Sequence, residues 1–121
     1  MKGIVVTTEN TVEVKDFGEP WTQTVGEIVG GYVEIVCPVG LAEPLCMVVN
    51  EEGLLLNLPV NTLGSLLYGA HIHGNPIVGN LVILKRSFGN LGVDIVGLTD
   101  AEAAELTKVF EAFFAGPNKN T

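Results

Sequence analysis

Apolar residues along the chain fall mostly into short runs with the two-residue period that is typical of β-strands. Residues 2–8 (KGIVVTT) and 11–15 (TVEVK) are separated by a polar turn and predict an N-terminal hairpin. Residues 32–37 (YVEIVC) alternate again, and residues 44–50 (PLCMVVN) are almost continuously apolar. The strongest strand pattern covers residues 77–85 (IVGNLVILK). Together these segments predict an antiparallel sheet.

The segment NEEGLLLNLPVN, residues 50–61, could hold a pair of catalytic carboxylates or a turn. The asparagine that starts NEEG and the glycine that ends it are typical of a type I turn. General acid–base catalysis needs carboxylates that converge on one substrate, whereas the adjacent acids Glu51 and Glu52 would face water in a turn. We therefore predict a turn at residues 50–53, followed by a return strand at residues 54–57 (LLLN).

Helical spacing of apolar residues occurs in three segments, which lie within residues 16–31, 58–69 and 99–114. The first two end at glycines, which stop helices well, and the third opens with Thr99 and Glu102 in the spacing of a capping box. The side chains expected to be buried on these helices are Val25, Ile28, Val29, Leu63, Leu66, Leu67, Leu106, Val109, Phe110, Phe113 and Phe114.

The order of these elements predicts a protein of the α+β class, with a single domain over residues 1–116. Two or three helices, including the C-terminal amphipathic helix, are expected to pack on one face of an antiparallel β-sheet. Residues 70–76 (AHIHGNP) should form a loop and residues 86–94 (RSFGNLGVD) a turn or a second hairpin. Residues 117–121 should be a flexible tail.

The composition narrows the classes of partner. The net charge is −8, from 14 acids and six bases, which argues against nucleic-acid binding because that needs a basic surface. Hydrophobic residues make up 47% of the chain and charged residues only 17%, so we expect a homo-oligomer that covers apolar surface. No apolar run reaches membrane-spanning length, and the N-terminus soon turns polar. These features predict a cytoplasmic protein without a membrane partner.

Cysteines and histidines are too few for an evident metal site. Cys37 and Cys46 could face each other across a hairpin, but two reduced thiols buried on apolar strands are the favoured interpretation in a reducing cytoplasm. His71 and His73 would project to the same side of an extended segment, yet no third ligand is spaced with them. Two ordinary loop imidazoles are therefore favoured over a metal-dependent hydrolase, and no cofactor is expected.

Lys85-Arg86 is the only adjacent basic pair in this acidic chain, and it lies close to Phe88 in a glycine-rich turn. Arginine binds phosphate well, and an aromatic ring can stack on a nucleobase. The competing interpretation is a basic strand end that keeps a hairpin soluble. No catalytic residue is assigned. The side chains considered for ligand binding are Lys85, Arg86, Phe88, Asn90, Asn61, Tyr68, His71 and His73.

The segments GGYVEIV (30–36), MVVNEEGLLLNLPVN (47–61) and NPIVGNLVIL (75–84) resemble the domain-of-unknown-function family numbered 3846, from phages, plasmids and their bacterial hosts. The resemblance spans residues 2 to about 114, with departures after Asn61 and around AHIHGN. For the positions that match the family pattern, a structural role is the favoured interpretation, because asparagine and proline suit turns and helix entrances. The matching positions are Gly31, Tyr32, Glu34, Asn50, Glu51, Gly53, Leu58, Pro59, Asn61 and Gly79.

The resemblance implies no enzymatic activity. It implies an accessory protein of a mobile element, and many such accessory proteins blunt host defences. We therefore expect a non-enzymatic oligomer that sequesters a small ligand such as a nucleotide signal. Arg86 would meet a phosphate, and Phe88 or Tyr68 would stack on a base. The alternative is an acidic inhibitor that covers a basic surface of a host nuclease or restriction enzyme. Its contacts would be Glu9, Glu13, Asp16, Glu19, Glu51 and Glu52.

Overall fold

The computed structural model describes residues 1–89 and 92–115, and in that part of the chain it has six strands and four helices. The strands are β1 (Lys2–Val6), β2 (Val12–Asp16), β3 (Val33–Val36), β4 (Leu45–Asn50), β5 (Leu81–Gly89) and β6 (Gly92–Val96). The helices are α1 (Trp21–Val29), α2 (Thr62–Tyr68), α3 (Ala70–His73) and α4 (Asp100–Ala115). The predicted α+β class is confirmed, whereas the predicted tail lies outside the described residues.

Strand β5 lies at the centre of the sheet, whose order is β2-β1-β5-β4-β3. Along one side of β5, its first residues pair with β1 and its last residues pair with β6. The other side pairs with β4, and β3 adds to the outer edge of β4. Every pairing is antiparallel, as predicted, and β5 with β6 forms the second hairpin.

Helices cover both faces of this sheet, because the central strands are apolar at successive positions rather than at alternate ones. The face that carries α2 and α4, here called the α4 face, buries Ile4, Val6, Met47, Val49, Leu63, Leu67, Ile77, Leu81, Ile83, Leu98, Ala103 and Phe110. The opposite α1 face buries Val5, Phe17, Val25, Val29, Cys46, Val48, Val82 and Leu84. The prediction that the helices share one face is therefore wrong.

The predicted return strand at residues 54–57 does not form. The NEEG turn is confirmed, since the Gly53 N–H donates to the Asn50 carbonyl at 3.2 Å, but turns continue to residue 57. A returning strand has no free partner there, because β4 is already paired with β3 on one side and β5 on the other. Three leucines are exposed as a result: Leu54, Leu55 and Leu56.

Two further boundaries differ from the sequence prediction. Strand β5 begins at Leu81 rather than at residue 77, because Gly79 has a φ of +80° and Val78 forms an isolated bridge with Val60. Residues 70–73 form the short helix α3 instead of a loop, and it ends at Gly74 with a left-handed φ of 86°. No helix in residues 1–89 and 92–115 is long and apolar enough to cross a membrane.

The capping box of α4 is confirmed. The Glu102 N–H donates to Thr99 Oγ1 at 3.1 Å, and the Thr99 N–H donates to Glu102 Oε1 at 2.8 Å. Phe110 is buried as predicted, but three residues expected in the core lie beside the buried stripes and are exposed. These residues are Leu66, Val109 and Phe113.

Candidate functional site

Asn50, which opens NEEG, joins this turn to the segment that follows α1. Its side chain is buried, and Nδ2 donates to the Val29 carbonyl at 3.0 Å. The backbone adds a second link, because the Glu51 N–H donates to the Tyr32 carbonyl at 2.9 Å. A Cβ at Gly31 would lie 3.1 Å from Asn50 Nδ2, so the absence of a side chain allows this approach. The GGY and NEEG segments are thus packed against each other.

Asn61 fixes the start of α2 from inside the protein. Its side chain is 0% exposed; Nδ2 donates to the carbonyls of Val6 and Gly79, each at 3.0 Å, and Oδ1 accepts from the Gly64 N–H at 2.9 Å. It is therefore an N-cap whose two donors are both used inside the fold. Because no part of this side chain reaches solvent, we do not carry Asn61 into the candidate binding site.

Two glycines of the family pattern allow close packing between NEEG, LPVN and NPIVG. A Cβ at Gly53 would lie 2.7 Å from Val78 Cγ2, and a Cβ at Gly79 would lie 2.9 Å from Leu58 Cδ1. The Gly79 N–H also donates to the Pro59 carbonyl at 2.7 Å. These two glycines therefore allow the NPIVG segment to pack directly against both NEEG and LPVN.

The packed segments border a cavity of about 410 Å³ on the α4 face, which we call the motif cavity. Its apolar lining consists of Val36, Val49, Leu54, Leu55, Pro76, Ile77 and Val78. Its polar lining consists of Glu34, Asn50, Glu51, Tyr68 and Asn75, with Gly53 at the turn. No basic side chain is among these described lining residues, so the cavity offers mainly hydrogen-bond acceptors between apolar walls.

Tyr68 is the predicted ligand residue that the structure places at the motif cavity. Its ring stacks on His73, with 4.3 Å between the ring centroids and 22° between the ring planes. His71 is exposed, and because α3 is helical, the two histidines do not share a side as they would in an extended segment. Among the described residues, no three His, Cys, Asp or Glu side chains group into a metal site.

Arg86 lies on the α1 face and Lys85 on the α4 face, because adjacent strand residues point to opposite sides. The Arg86 guanidinium carbon is 5.4 Å from the centroid of the Phe88 ring, and Nη2 donates to Glu43 Oε1 at 3.4 Å. The structure therefore places Arg86 against the Phe88 ring and separates both residues from Tyr68. Asn90 lies outside the described residues.

Lys85 is engaged by the C-terminal helix. Its Nζ donates to Glu102 Oε1 at 2.7 Å. This hydrogen bond, followed by the one from the Thr99 backbone, holds the pKa of Glu102 below its usual value. Lys85 thus stabilises the start of α4, and it is not among the residues that line the motif cavity.

The acids considered for an inhibitory surface are all exposed, but they do not form one patch. Glu13 and Asp16 lie on the edge strand β2, and Asp16 Oδ2 is 3.6 Å from Lys2 Nζ. Glu51 and Glu52 follow β4, which β1 and β5 separate from β2. A basic partner would have to cover the width of the sheet to contact them all.

Sequence reasoning missed several residues of the motif cavity. In the sequence, Asn75 and Pro76 mark only the start of a family segment, although they line the cavity. The family pattern favours only a structural role for Glu34, yet this residue faces the cavity from β3. A signal was present, because alternation along β3 places Glu34 and Val36 on the same face. Nothing local indicated that this face meets residues 75–78.

Comparison with known proteins places the chain in one family. No curated protein matches it, and no solved structure matches it. The family described as "Domain of unknown function (DUF3846)" matches residues 1–111, which cover all six strands and most of α4. The matched range also contains every lining residue of the motif cavity. The chain is therefore a member of the DUF3846 family.

Proposed function

We propose that this protein is a non-enzymatic binding protein that sequesters a small ligand in the motif cavity. One observation carries the proposal: the three segments of the family pattern, far apart in sequence, each supply lining residues to a single cavity. GGYVEIV supplies Glu34, NEEG supplies Glu51, and NPIVG supplies Asn75 and Val78. A volume of about 410 Å³ is within the range of small-molecule sites.

The lining favours a ligand that donates hydrogen bonds. In their ionised form, the carboxylates of Glu34 and Glu51 accept hydrogen bonds and donate none. Asn75 and Tyr68 each add a further acceptor oxygen. The same two carboxylates repel an anion. For a nucleotide-type signal, we propose that the base or ribose enters the cavity between the apolar walls. Its phosphates would then remain outside, away from Glu34 and Glu51.

The biological setting is part of this proposal and rests on the family. A protein that holds a signal without converting it would act as a mobile-element accessory protein in the cytoplasm of a bacterial host. We further propose that copies of the chain associate, because Leu54, Leu55 and Leu56 expose apolar surface, and the first two line the motif cavity. An interface there would cover the leucines and deepen the cavity.

The proposal is tested by a thermal-shift screen of purified protein, followed by calorimetric titration. The panel consists of adenosine, guanosine, cytidine and uridine, and of the 5′-monophosphate of each, all tested as separate compounds. A ligand at ~100 times its dissociation constant stabilises the folded protein by roughly 2.7 kcal/mol. The matched variants are Glu51→Gln and Glu52→Gln, since Glu51 lines the cavity and its neighbour Glu52 does not.

We expect a nucleoside to bind, with an affinity at least about tenfold lower in Glu51→Gln and unchanged in Glu52→Gln. Binding that depends on the phosphate and on Arg86, and is indifferent to Glu51, would place the site on the α1 face instead. The acidic-inhibitor alternative would be favoured by two results together. No member of the panel would bind, and the protein would capture a basic host nuclease in an interaction that weakens steeply with salt.

A further inference from the structure

The two cysteines lie at the ends of adjacent strands. Strands β3 and β4 pair antiparallel from Val33 opposite Asn50 to Val36 opposite Met47. The last pair of this ladder is Val36 with Met47, and continuing the register by one residue would place Cys37 opposite Cys46. Directly opposed side chains of an antiparallel pair have Cβ atoms roughly 4.5–5.5 Å apart, close to the spacing that a disulfide requires.

Both side chains belong to the α1 face. Cys46 is buried there beside Val48, and alternation places Cys37 on the same side as Ile35, which pairs with Val48. Burial raises the pKa of the Cys46 thiol to about 11, and nearby Cys37 contributes to the rise. The extended register and this effect of Cys37 on the Cys46 thiol both bring the two cysteines together.

The two thiols differ in their access to solvent. Cys37 is exposed, which corrects the prediction that both thiols are buried, whereas Cys46 is fully buried. Strand β3 ends at Val36, so Cys37 is the first residue of the loop to β4. An oxidant in solution therefore reaches Cys37 first, and only Cys37 can bring an oxidised sulfur to Cys46.

We propose that Cys37 and Cys46 form a reversible oxidative modification site that closes to an intramolecular disulfide on exposure to a peroxide. The Cys37 sulfur attacks hydrogen peroxide, the O–O bond breaks, and Cys37 becomes a sulfenic acid as water leaves. The Cys46 sulfur then attacks the Cys37 sulfur, the S–O bond breaks, and the hydroxyl leaves as water with the Cys46 proton. In total, two thiols lose two electrons and two protons, and one peroxide is reduced to two waters.

The disulfide would join the end of β3 to the start of β4 and close the loop over residues 38–45. In the chain-entropy account, a cross-link over a loop of this length restricts the unfolded chain and raises the melting temperature, by roughly 5–10 °C for a domain of this size. The modification does not depend on any ligand of the motif cavity, although Val36 in the cavity wall lies next to Cys37.

The test treats fully reduced protein with one equivalent of hydrogen peroxide and measures its intact mass and melting temperature. Chymotryptic cleavage after Leu41 separates the two cysteines, so a cross-link joins two fragments that a reductant releases. The variants are Cys37→Ser and Cys46→Ser. Under the same treatment, Cys46→Ser should accumulate a sulfenic acid at Cys37 that dimedone traps, and Cys37→Ser should remain unmodified.

We expect the wild-type monomer to lose two hydrogens in mass and to melt at a higher temperature until a reductant is added. The proposal is overturned if Cys37 instead gains oxygen atoms or links two protein molecules while Cys46 stays open to alkylation after unfolding. It is also overturned if the Cys37→Ser variant reacts with peroxide as fast as the wild type.

Discussion

The side-chain amide of Asn61 donates a hydrogen bond of 3.0 Å to the carbonyl of Val6, a residue 55 positions earlier in the chain. This bond joins the first turn of α2 to the central part of the sheet. The same Nδ2 donates to the Gly79 carbonyl, so one buried side chain connects β1, α2 and the segment before β5. The walls of the motif cavity depend on this connection, because Ile77 and Val78 lie just before Gly79.

Asn61→Ala should lower the free energy of unfolding by about 2–4 kcal/mol, because it removes a helix cap and leaves buried polar groups of the backbone unpaired. Asn61→Asp keeps the acceptor for the Gly64 N–H but loses both donors. This variant should be no more stable than Asn61→Ala. Urea unfolding followed by circular dichroism measures both. Asn75→Ala, at an exposed asparagine, is the matched control and should change stability by less than about 0.5 kcal/mol. A cost below about 1 kcal/mol for Asn61→Ala would contradict this role.

Gly79→Ala should cost about 1–3 kcal/mol of stability. The φ of +80° is unfavourable for alanine, and its Cβ would press against Leu58 Cδ1 at 2.9 Å. Gly18→Ala is the control, because a Cβ at Gly18 meets no atom within 4 Å. Thermal and urea unfolding should therefore separate the two variants clearly, and equal stabilities would argue against close packing at Gly79.

Glu102 should make stability depend on pH at the acid end of the range. Its pKa in the folded protein lies below the ordinary value of 4.5, chiefly because Lys85 donates a hydrogen bond to it. The ionised group therefore stabilises the fold above that ordinary value, and this contribution is lost as pH falls through the lower, folded-state pKa.

Glu102→Gln keeps a capping side chain but removes the charge, so it should be less stable than the wild type at pH 7. The difference should shrink as pH falls from about 5 to about 3, and urea unfolding at each pH measures it. Glu105→Gln, which removes a charge from an exposed acid of the same helix, is the control measured over the same pH range. A constant difference for Glu102→Gln would show that the charge is not the cause.

Arg86→Met should leave binding in the motif cavity unchanged, because Arg86 lies on the α1 face with Phe88 and Glu43. Tyr68→Ala should weaken the same binding by about tenfold or more, since the phenol ring is part of the cavity lining. Calorimetric titration with the ligand found in the screen measures both variants. If Arg86→Met weakened binding and Tyr68→Ala did not, the ligand site would lie at Arg86 on the α1 face instead.

Leu55→Lys should leave the folded monomer intact, because the Leu55 side chain is 84% exposed. We expect its stability to change by less than about 0.5 kcal/mol. If copies associate through the exposed leucines, light scattering should show an oligomer for the wild type and a smaller particle for Leu55→Lys. An unchanged mass for the variant would place any interface elsewhere on the surface.

The sequence by itself determined the elements whose signals are local. The NEEG turn, the N-cap of α2 and the capping box of α4 each rest on a few neighbouring residues, and each is present. The strand periodicity predicted the antiparallel hairpins because side-chain direction along a strand depends only on position. The family pattern was evident for the same reason, since its turn, strand and helix entrance recur at fixed spacing.

Tertiary structure alone decided which segments meet. No local signal shows that β4 is paired on both sides, and this pairing is what excludes a return strand at residues 54–57. Likewise, sheet order separates Arg86 from Tyr68 and brings Glu34 and Asn75 to one cavity. Contacts of this kind depend on strand pairing and helix packing between distant parts of the chain, which short-range patterns of apolar and polar residues do not specify.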